Sequence, residues 1–217
     1  MARTLTTPED ALALVRKLRV LPLSPSPPLT SLVEEVCGGP IKGSWWGHPK
    51  GGLIYTLATA LEESGEVLAA KVVDGKIAFV HRALFAPLLR YATDDGRLAL
   101  AMKALGPEEK RLLALVRSQG ELELDAVALR NLKLDRKRAS KARTGLEKAL
   151  LVVSTELHTD TGNHATVLRT FERWASTEVK KEASRLSLQD AEIALAALLS
   201  GSEEQAPEKA PRRKTKR

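Results

Sequence analysis

Residues 130–150 hold the chain's clearest chemical signal, a dense run of basic side chains. This stretch has eight lysines and arginines and two acidic residues. Its formal charge of +6 is close to the +7 of the whole 217-residue chain. Such a concentration of positive charge attracts polyanions, and duplex DNA presents closely spaced phosphates. The run therefore predicts that duplex DNA is the partner.

A helix over residues 136–150 would separate this run into two faces. At about 100° per residue, Ala139, Ala142 and Leu146 fall on one apolar arc, and the lysines fall on the opposite arc. The alternative is an ordinary solvated face held by ion pairs one turn apart, which the scarcity of acidic residues disfavours. The residues predicted to contact phosphates or base edges are Arg136, Lys137, Ser140, Lys141, Arg143, Thr144 and Lys148.

Two histidines, His158 and His164, flank a turn that ends in Gly162-Asn163. At the tip of a hairpin they would donate hydrogen bonds to phosphate, so both are assigned to the DNA contact. A zinc site is disfavoured, because the two histidines have neither cysteine nor a cluster of acids nearby. The sequence also contains no phosphate-binding loop. It therefore predicts no metal and no cofactor.

A second candidate site lies at Trp45, Trp46, His48 and Lys50, which precede two glycines and a predicted helix. In one interpretation the indoles stack on an unpaired base, while the helix N-terminus and the basic side chains meet phosphate. The favoured alternative is that both tryptophans are buried anchors of the core. No catalytic residue is assigned, because glutamate pairs such as Glu62-Glu63 are common on helix surfaces.

The predicted elements follow one order twice, three helices and then a hairpin. The first set has helices at 8–19, 29–36 and from 49 onward, and a hairpin over 67–80 around Asp74-Gly75. The second set has helices at 107–118, 125–132 and 136–150, followed by strand-like runs at 151–157 and 165–168. This is the order of a winged helix. The predicted fold class is α+β, mainly α with β-hairpins, built from tandem winged helix-turn-helix modules.

The chain divides into four predicted parts. They are a first module (1–105), a second module (106–170), C-terminal helices (171–200) and a disordered basic tail (201–217). The polar segment 171–186 is expected to form one helix that packs on the second module. We expect no membrane contact, because no apolar run approaches the roughly 18 residues of a membrane span. Together with the predicted DNA binding, this indicates a cytoplasmic, nucleoid-associated protein.

Three segments, 43–51, 71–82 and 158–164, resemble a group of bacterial proteins related to the AlkZ/YcaQ winged-helix DNA glycosylases. The resemblance covers about residues 5–175. It implies tandem winged helices, duplex DNA binding and a link to DNA repair. Those glycosylases hydrolyse the glycosidic bond of a damaged nucleotide with a Gln-x-Gln motif. The glutamines here, Gln119, Gln189 and Gln205, lack that spacing, so no catalytic residue is carried over.

The leading hypothesis is a non-enzymatic protein that binds duplex DNA mainly through residues 136–150, in DNA repair or in transcriptional regulation. One alternative is a divergent DNA glycosylase that acts on alkylated or crosslinked bases, with an acid near Trp45 and Trp46. Another is a scaffold whose winged helices bind proteins. The acidic outward face of the first module's third helix favours that role for the first module.

Overall fold

The computed structural model describes residues 4–73, 75–158 and 164–199. Only the backbone is described for residues 156–158, 164–165 and 197–199. The turn residue Asp74, the predicted wing tip at 159–163 and the predicted tail at 201–217 lie outside the described residues.

In the residues that the structure describes, the predicted first module contains five helices, three strands and two short 3₁₀ turns. Its helices are α1 (Pro8–Leu18), α2 (Leu32–Cys37), α3 (Gly51–Glu63), α4 (Phe85–Ala92) and α5 (Asp95–Ala104). Its strands are β1 (Val20–Pro22), β2 (Val67–Val73) and β3 (Lys76–His81), and the 3₁₀ turns are Trp45–Gly47 and Arg82–Leu84.

The second module and the C-terminal segment continue the mixture of helices and short strands. The second module contains α6 (Pro107–Gln119), β4 (Glu121–Glu123), α7 (Ala126–Leu132), α8 (Arg136–Lys148), β5 (Val153–His158) and β6 (His164–Arg169). The C-terminal helices are α9 (Phe171–Trp174), α10 (Thr177–Ala183) and α11 (Leu188–Leu199). The predicted α+β class is confirmed. The winged-helix type and the module boundaries stay predictions.

Both modules carry a three-stranded antiparallel sheet with the same strand order. The strand orders are β1-β3-β2 and β4-β6-β5. In each sheet, the short strand that follows the module's first helix pairs with the second strand of the hairpin. The strand-like link predicted at 121–124 is confirmed as β4. The sequence predicted an extended connector from Leu21 onward; β1 forms there because Val20 and Leu21 are buried and pair with β3.

Side-chain caps begin several helices where the sequence predicted them. The Thr7 hydroxyl accepts the N–H of Asp10 at 3.1 Å, with Pro8 in the first turn. Asp125 accepts the N–H of Ala128 at 2.7 Å, and Asp135 accepts that of Arg138 at 2.8 Å. These bonds satisfy donors that have no partner within the helix. Helix α5 was not predicted; none of its residues is fully buried, and Leu98, Ala101 and Met102 pack on the core of the second module while only partly buried.

The first sheet buries both of its faces. Phe79 packs on the helices α1 to α3, whereas Val80 faces a cluster that contains Leu88 of α4 and Leu195 of α11. The second module has its own core, which includes Leu112, Leu146 and Leu168. Among the described helices, none has the length and apolar character needed to cross a membrane.

The expectation of one polar helix over 171–186, packed on the second module, is wrong. Ala175 is extended and Ser176 caps a new helix, so two short helices form. Both α10 and α11 lie against α4 of the first module. The physical reason is that the second apolar face of the first sheet, together with α4, must be covered, and the apolar residues Ala183 and Leu195 cover it.

His81 ends β3 in a buried polar network at the edge of the first sheet. The residue is 8% exposed. Its Nδ1 accepts the N–H of Ala83 at 3.3 Å and lies 3.0 Å from Nη1 of Arg19. Glu66, which binds Arg16 at 2.5 Å, lies 3.7 Å from Nε2. Burial, and then the charge of Arg19, lower the pKa of His81, so the folded state favours the neutral ring.

We expect the free energy of unfolding to fall as the pH drops below 6.5, the ordinary pKa of histidine. Because the pKa of His81 is lowered in the folded state, the unfolded chain takes up this proton more readily. The stability that neutral His81 contributes is therefore present above pH 6.5 and is lost as the pH falls through the folded-state pKa. Urea unfolding between about pH 7.5 and 5.5 measures this dependence.

The control is His81→Gln, whose amide oxygen accepts hydrogen bonds but does not titrate. This variant should lose less stability than the wild type over the same pH range. Glu66, whose pKa is lowered chiefly by its hydrogen bond to Arg16, titrates at more acidic pH and does not interfere. The same pH dependence in both proteins would contradict the assignment to His81.

Candidate nucleic-acid interface

Helix α8 separates apolar from basic residues as the sequence predicts. Ala139, Ala142 and Leu146 are buried in the core of the second module. α8 packs on α6 along this face. The opposite face of its N-terminal half is exposed to solvent, and it carries Arg136, Lys137, Ser140 and Lys141.

Most of the exposed cations of α8 have no carboxylate partner in the described part of the chain. Within the described ranges, Arg136, Lys137, Lys141 and Lys148 form no ion pair, whereas Arg138 is paired with Glu108 of α6. A solvated face held together by i,i+4 pairs therefore does not describe this surface. Uncompensated positive charge on a rigid element creates the potential that attracts a polyanion.

The C-terminal half of α8 contacts β2 of the first module and β6 of its own module. The Nη1 of Arg143 donates to the hydroxyl of Thr166 at 3.0 Å. The aliphatic stem of Lys148 lies against the turn of the first hairpin, since a Cβ added to Gly75 would come within 1.9 Å of its Cε. Thr144 is half-buried. Of the predicted contact residues, those in the N-terminal half are thus the most accessible.

His158 and His164 are paired in register at the end of the β5–β6 hairpin. Their side chains and the turn between them lie outside the described residues. Their assignment to the DNA contact therefore stays a prediction.

The two predicted indoles differ in burial. Trp45 packs on the core that contains Phe79, and Trp46 stacks on Trp45 with ring centroids 4.0 Å apart and an interplanar angle of 23°. Trp46 is 67% exposed. The interpretation that both are core anchors is therefore wrong for Trp46. A Cβ on Gly51 would lie 2.8 Å from the carbonyl oxygen of Trp45, so a glycine is needed where α3 begins beneath them.

His48 and Lys50, predicted beside the tryptophans, are held by the backbone of the first module. The Nζ of Lys50 donates to the carbonyl of Val36 near the end of α2, at 2.6 Å. The Nδ1 of His48 accepts the N–H of Lys50 at 3.1 Å and lies 3.5 Å from Sγ of Cys37. A histidine beside this cysteine was not predicted from the sequence.

A groove of about 380 Å³ runs between the two modules. We call it the junction groove. One wall belongs to the first module and carries Trp45, Trp46 and Tyr55 together with Glu62 and Glu63. The other wall belongs to the second module and carries Arg143, Ser154, Thr155 and Thr166. The sequence did not associate these residues, because the two walls are about 80 to 120 positions apart along the chain.

Glu147, a buried carboxylate, connects the modules beside this groove. Its side chain is 3% exposed and accepts a hydrogen bond from the Nζ of Lys71 in β2, at 2.6 Å. The hydroxyl of Ser154 in β5 donates to its other oxygen. The Nε of Arg143 lies 3.8 Å from that oxygen, too far for a hydrogen bond. Sequence analysis missed Lys71, although an acidic residue within a basic helix was a signal for Glu147.

Arg97, at the start of α5, makes a second connection between α8 and the first module. Its guanidinium donates to the carbonyls of Tyr91 and Ala92 at the end of α4, at 2.9 and 2.7 Å. It also donates to the carbonyls of Ala149 and Leu150 just after α8, at 2.7 and 3.1 Å. A cation is favourable where two helices end, because both termini expose carbonyl oxygens. Arg97 therefore fixes the C-terminal end of α8.

A family model described as AlkZ related matches residues 5–216, which include both modules and the junction groove. A search of curated proteins and a search of solved structures found no match.

We expect Arg97→Ala to lower the free energy of unfolding by about 2–4 kcal/mol, because four carbonyls lose a charged donor. Arg97→Lys should have an intermediate effect, since an ammonium cannot reproduce the planar fork of a guanidinium. Chemical denaturation measures both variants. Arg111→Ala, an exposed change on α6, is the matched control and should stay within about 0.5 kcal/mol of the wild type. Equal losses in Arg97→Ala and Arg111→Ala would contradict the role of Arg97.

Proposed function

Because the chain belongs to the AlkZ-related family, we propose that it is a DNA-binding protein associated with DNA repair. We further propose that its modules are winged helices in tandem, and that the basic face of α8 makes the main contact with duplex DNA. A role as a transcriptional regulator would use the same contact.

The observation that carries this proposal is the uncompensated charge on the N-terminal half of α8. Arg136, Lys137 and Lys141 are exposed, and none pairs with a carboxylate in the described part of the chain. In a helix-turn-helix the N-terminal residues of the recognition helix are those that reach base edges. The small side chain of Ser140 lets the helix approach the groove closely. Phosphate contacts by these cations supply affinity through counterion release.

The two halves of α8 have different roles in this proposal. The C-terminal half is held to the first module through Glu147 and Arg97, while the N-terminal half projects its cations into solvent. A rigidly held helix meets DNA without first being ordered, which reduces the entropic cost of binding. His158 and His164 at the end of the second hairpin would add phosphate contacts beside the helix.

We expect the double variant Lys137→Gln/Lys141→Gln to weaken duplex binding about tenfold at 0.1 M salt, because two phosphate contacts are lost. The slope of log affinity against log salt should fall by about 2 in magnitude. Fluorescence anisotropy with a labelled duplex at several salt concentrations measures both quantities.

The control is Lys180→Gln/Lys181→Gln, which removes the same charge from exposed positions of α10, away from α8. This control should keep most of the affinity and the salt slope. Equal losses in the two double variants would mean that only net charge matters. Duplex binding that does not depend on salt would also refute the proposed contact.

One observation favours the enzymatic alternative, a divergent glycosylase. Glu62 and Glu63 line the same groove as Trp45 and Trp46, which is where that hypothesis requires an acid. In such a reaction a carboxylate would take a proton from water as the water attacks the sugar carbon and the damaged base leaves. The groove thus contains a candidate general base, Glu62 or Glu63, for an enzyme that lacks the Gln-x-Gln motif.

Incubation with alkylated duplex DNA, followed by scoring of abasic sites, separates the two functions. The non-enzymatic proposal expects no abasic sites above those of a reaction without protein. Base release that disappears in Glu62→Gln or Glu63→Gln, with duplex affinity unchanged, would establish the glycosylase instead. Arg111→Ala is the matched control and should behave as the wild type does.

A further inference from the structure

The junction groove has the volume and the lining residues of a ligand-binding site. It is not part of the DNA contact proposed for α8. Its volume of about 380 Å³ lies within the range of small-molecule sites, roughly 300–1,000 Å³. We propose that it binds an unstacked nucleobase, with the ring stacked on Trp46 and its polar edge toward the second module. The base has two possible sources, DNA and a free nucleoside, and both present the same ring. For a base of DNA, this inference rests on the proposed DNA binding.

The aromatic wall is a preformed stacking platform. Trp46 is 67% exposed, yet its ring is supported from below by Trp45, which is itself packed on the core. Tyr55 lies beside it, with ring centroids 5.9 Å apart, and is 39% exposed. Single exposed apolar side chains are ordinary, but here Trp46, Tyr55 and the 37%-exposed Ile77 line one groove. A base stacks on such a surface whatever its identity.

The opposite wall supplies hydrogen-bonding groups. Arg143, Ser154, Thr155 and Thr166 provide a guanidinium and three hydroxyls. A ring with carbonyl and amino groups would find hydrogen-bond donors and acceptors among these side chains.

The charges around the groove favour a base over a phosphate. The groove is lined by two acidic residues, Glu62 and Glu63, and by two basic residues, Lys71 and Arg143, so its formal charge is balanced and suits a neutral ring. The combination of an aromatic face with hydroxyl and guanidinium groups is typical of unpaired-base recognition. Arg143 belongs to α8 and lies less than one helical turn after Lys141, so DNA held on α8 passes close to the groove.

The test compares a perfect duplex with the same duplex carrying one bulged base, using the full-length protein and anisotropy. We expect the bulged duplex to bind about tenfold more tightly. Trp46→Ala should abolish that preference while it retains the affinity for the perfect duplex, and Trp46→Phe should restore part of the preference. Leu100→Ala, at an equally exposed apolar position on α5, is the matched control and should keep the full preference.

A second arm titrates free nucleosides and follows quenching of tryptophan fluorescence. Quenching that is lost in Trp46→Phe, without any preference for the bulged duplex, identifies a free nucleoside as the occupant. The absence of both quenching and preference would overturn the inference. A preference for the bulged duplex that survives Trp46→Ala would also overturn it. A failure of the α8 proposal is distinguishable from these outcomes. In that case the perfect duplex would not bind, or its affinity would not change when Lys137 and Lys141 are substituted.

Discussion

The carboxylate of Glu147 is buried where the two modules meet, and the arrangement around it depends on keeping that charge paired. Lys71 of β2, which is 76 positions away, and Ser154 of β5, which is seven positions away, both bind this carboxylate of α8. A buried charge that loses its partner is strongly destabilising, because no water replaces the missing interaction. The pair therefore restricts how α8 lies against the first sheet, and Arg97 restricts it again at the C-terminal end of the helix.

This constraint explains why the basic helix is not uniform along its length. In the C-terminal turns Arg143 is hydrogen-bonded to Thr166, and the aliphatic stem of Lys148 lies against Gly75 of the first hairpin. The N-terminal turns are held by the Asp135 cap and the apolar stripe, and they leave Lys137 and Lys141 unpaired in the described structure. A helix anchored at one end and charged at the other is suited to present cations in a fixed direction.

The junction groove is a consequence of the same contact. Because β2 lies against α8 and β5, the aromatic wall around Trp46 and the polar wall around Thr155 are brought opposite each other. The C-terminal helices lie elsewhere, on α4, where they cover the second face of the first sheet. The described C-terminal helices therefore bury the second face of the first sheet and leave the groove and the basic face uncovered.

Local signals in the sequence were sufficient for most of the elements and for half of the candidate site. The caps at Thr7 and Asp135, the hairpin turn before Lys76 and the alanine stripe of α8 act within a few residues, and the structure has them where they were predicted. The exposure of Lys137 and Lys141 follows from the same helical period.

Contacts between distant residues were decided by tertiary structure alone. Lys71 and Glu147 are 76 positions apart, and no periodicity relates them. The exposure of Trp46 depends on how the second module packs beside the junction groove. The docking of α10 and α11 depends on the second apolar face of the first sheet, which these helices cover together with α4. Helical period and caps fix local geometry, whereas the burial of apolar area and of charge is settled only when separate segments pack together.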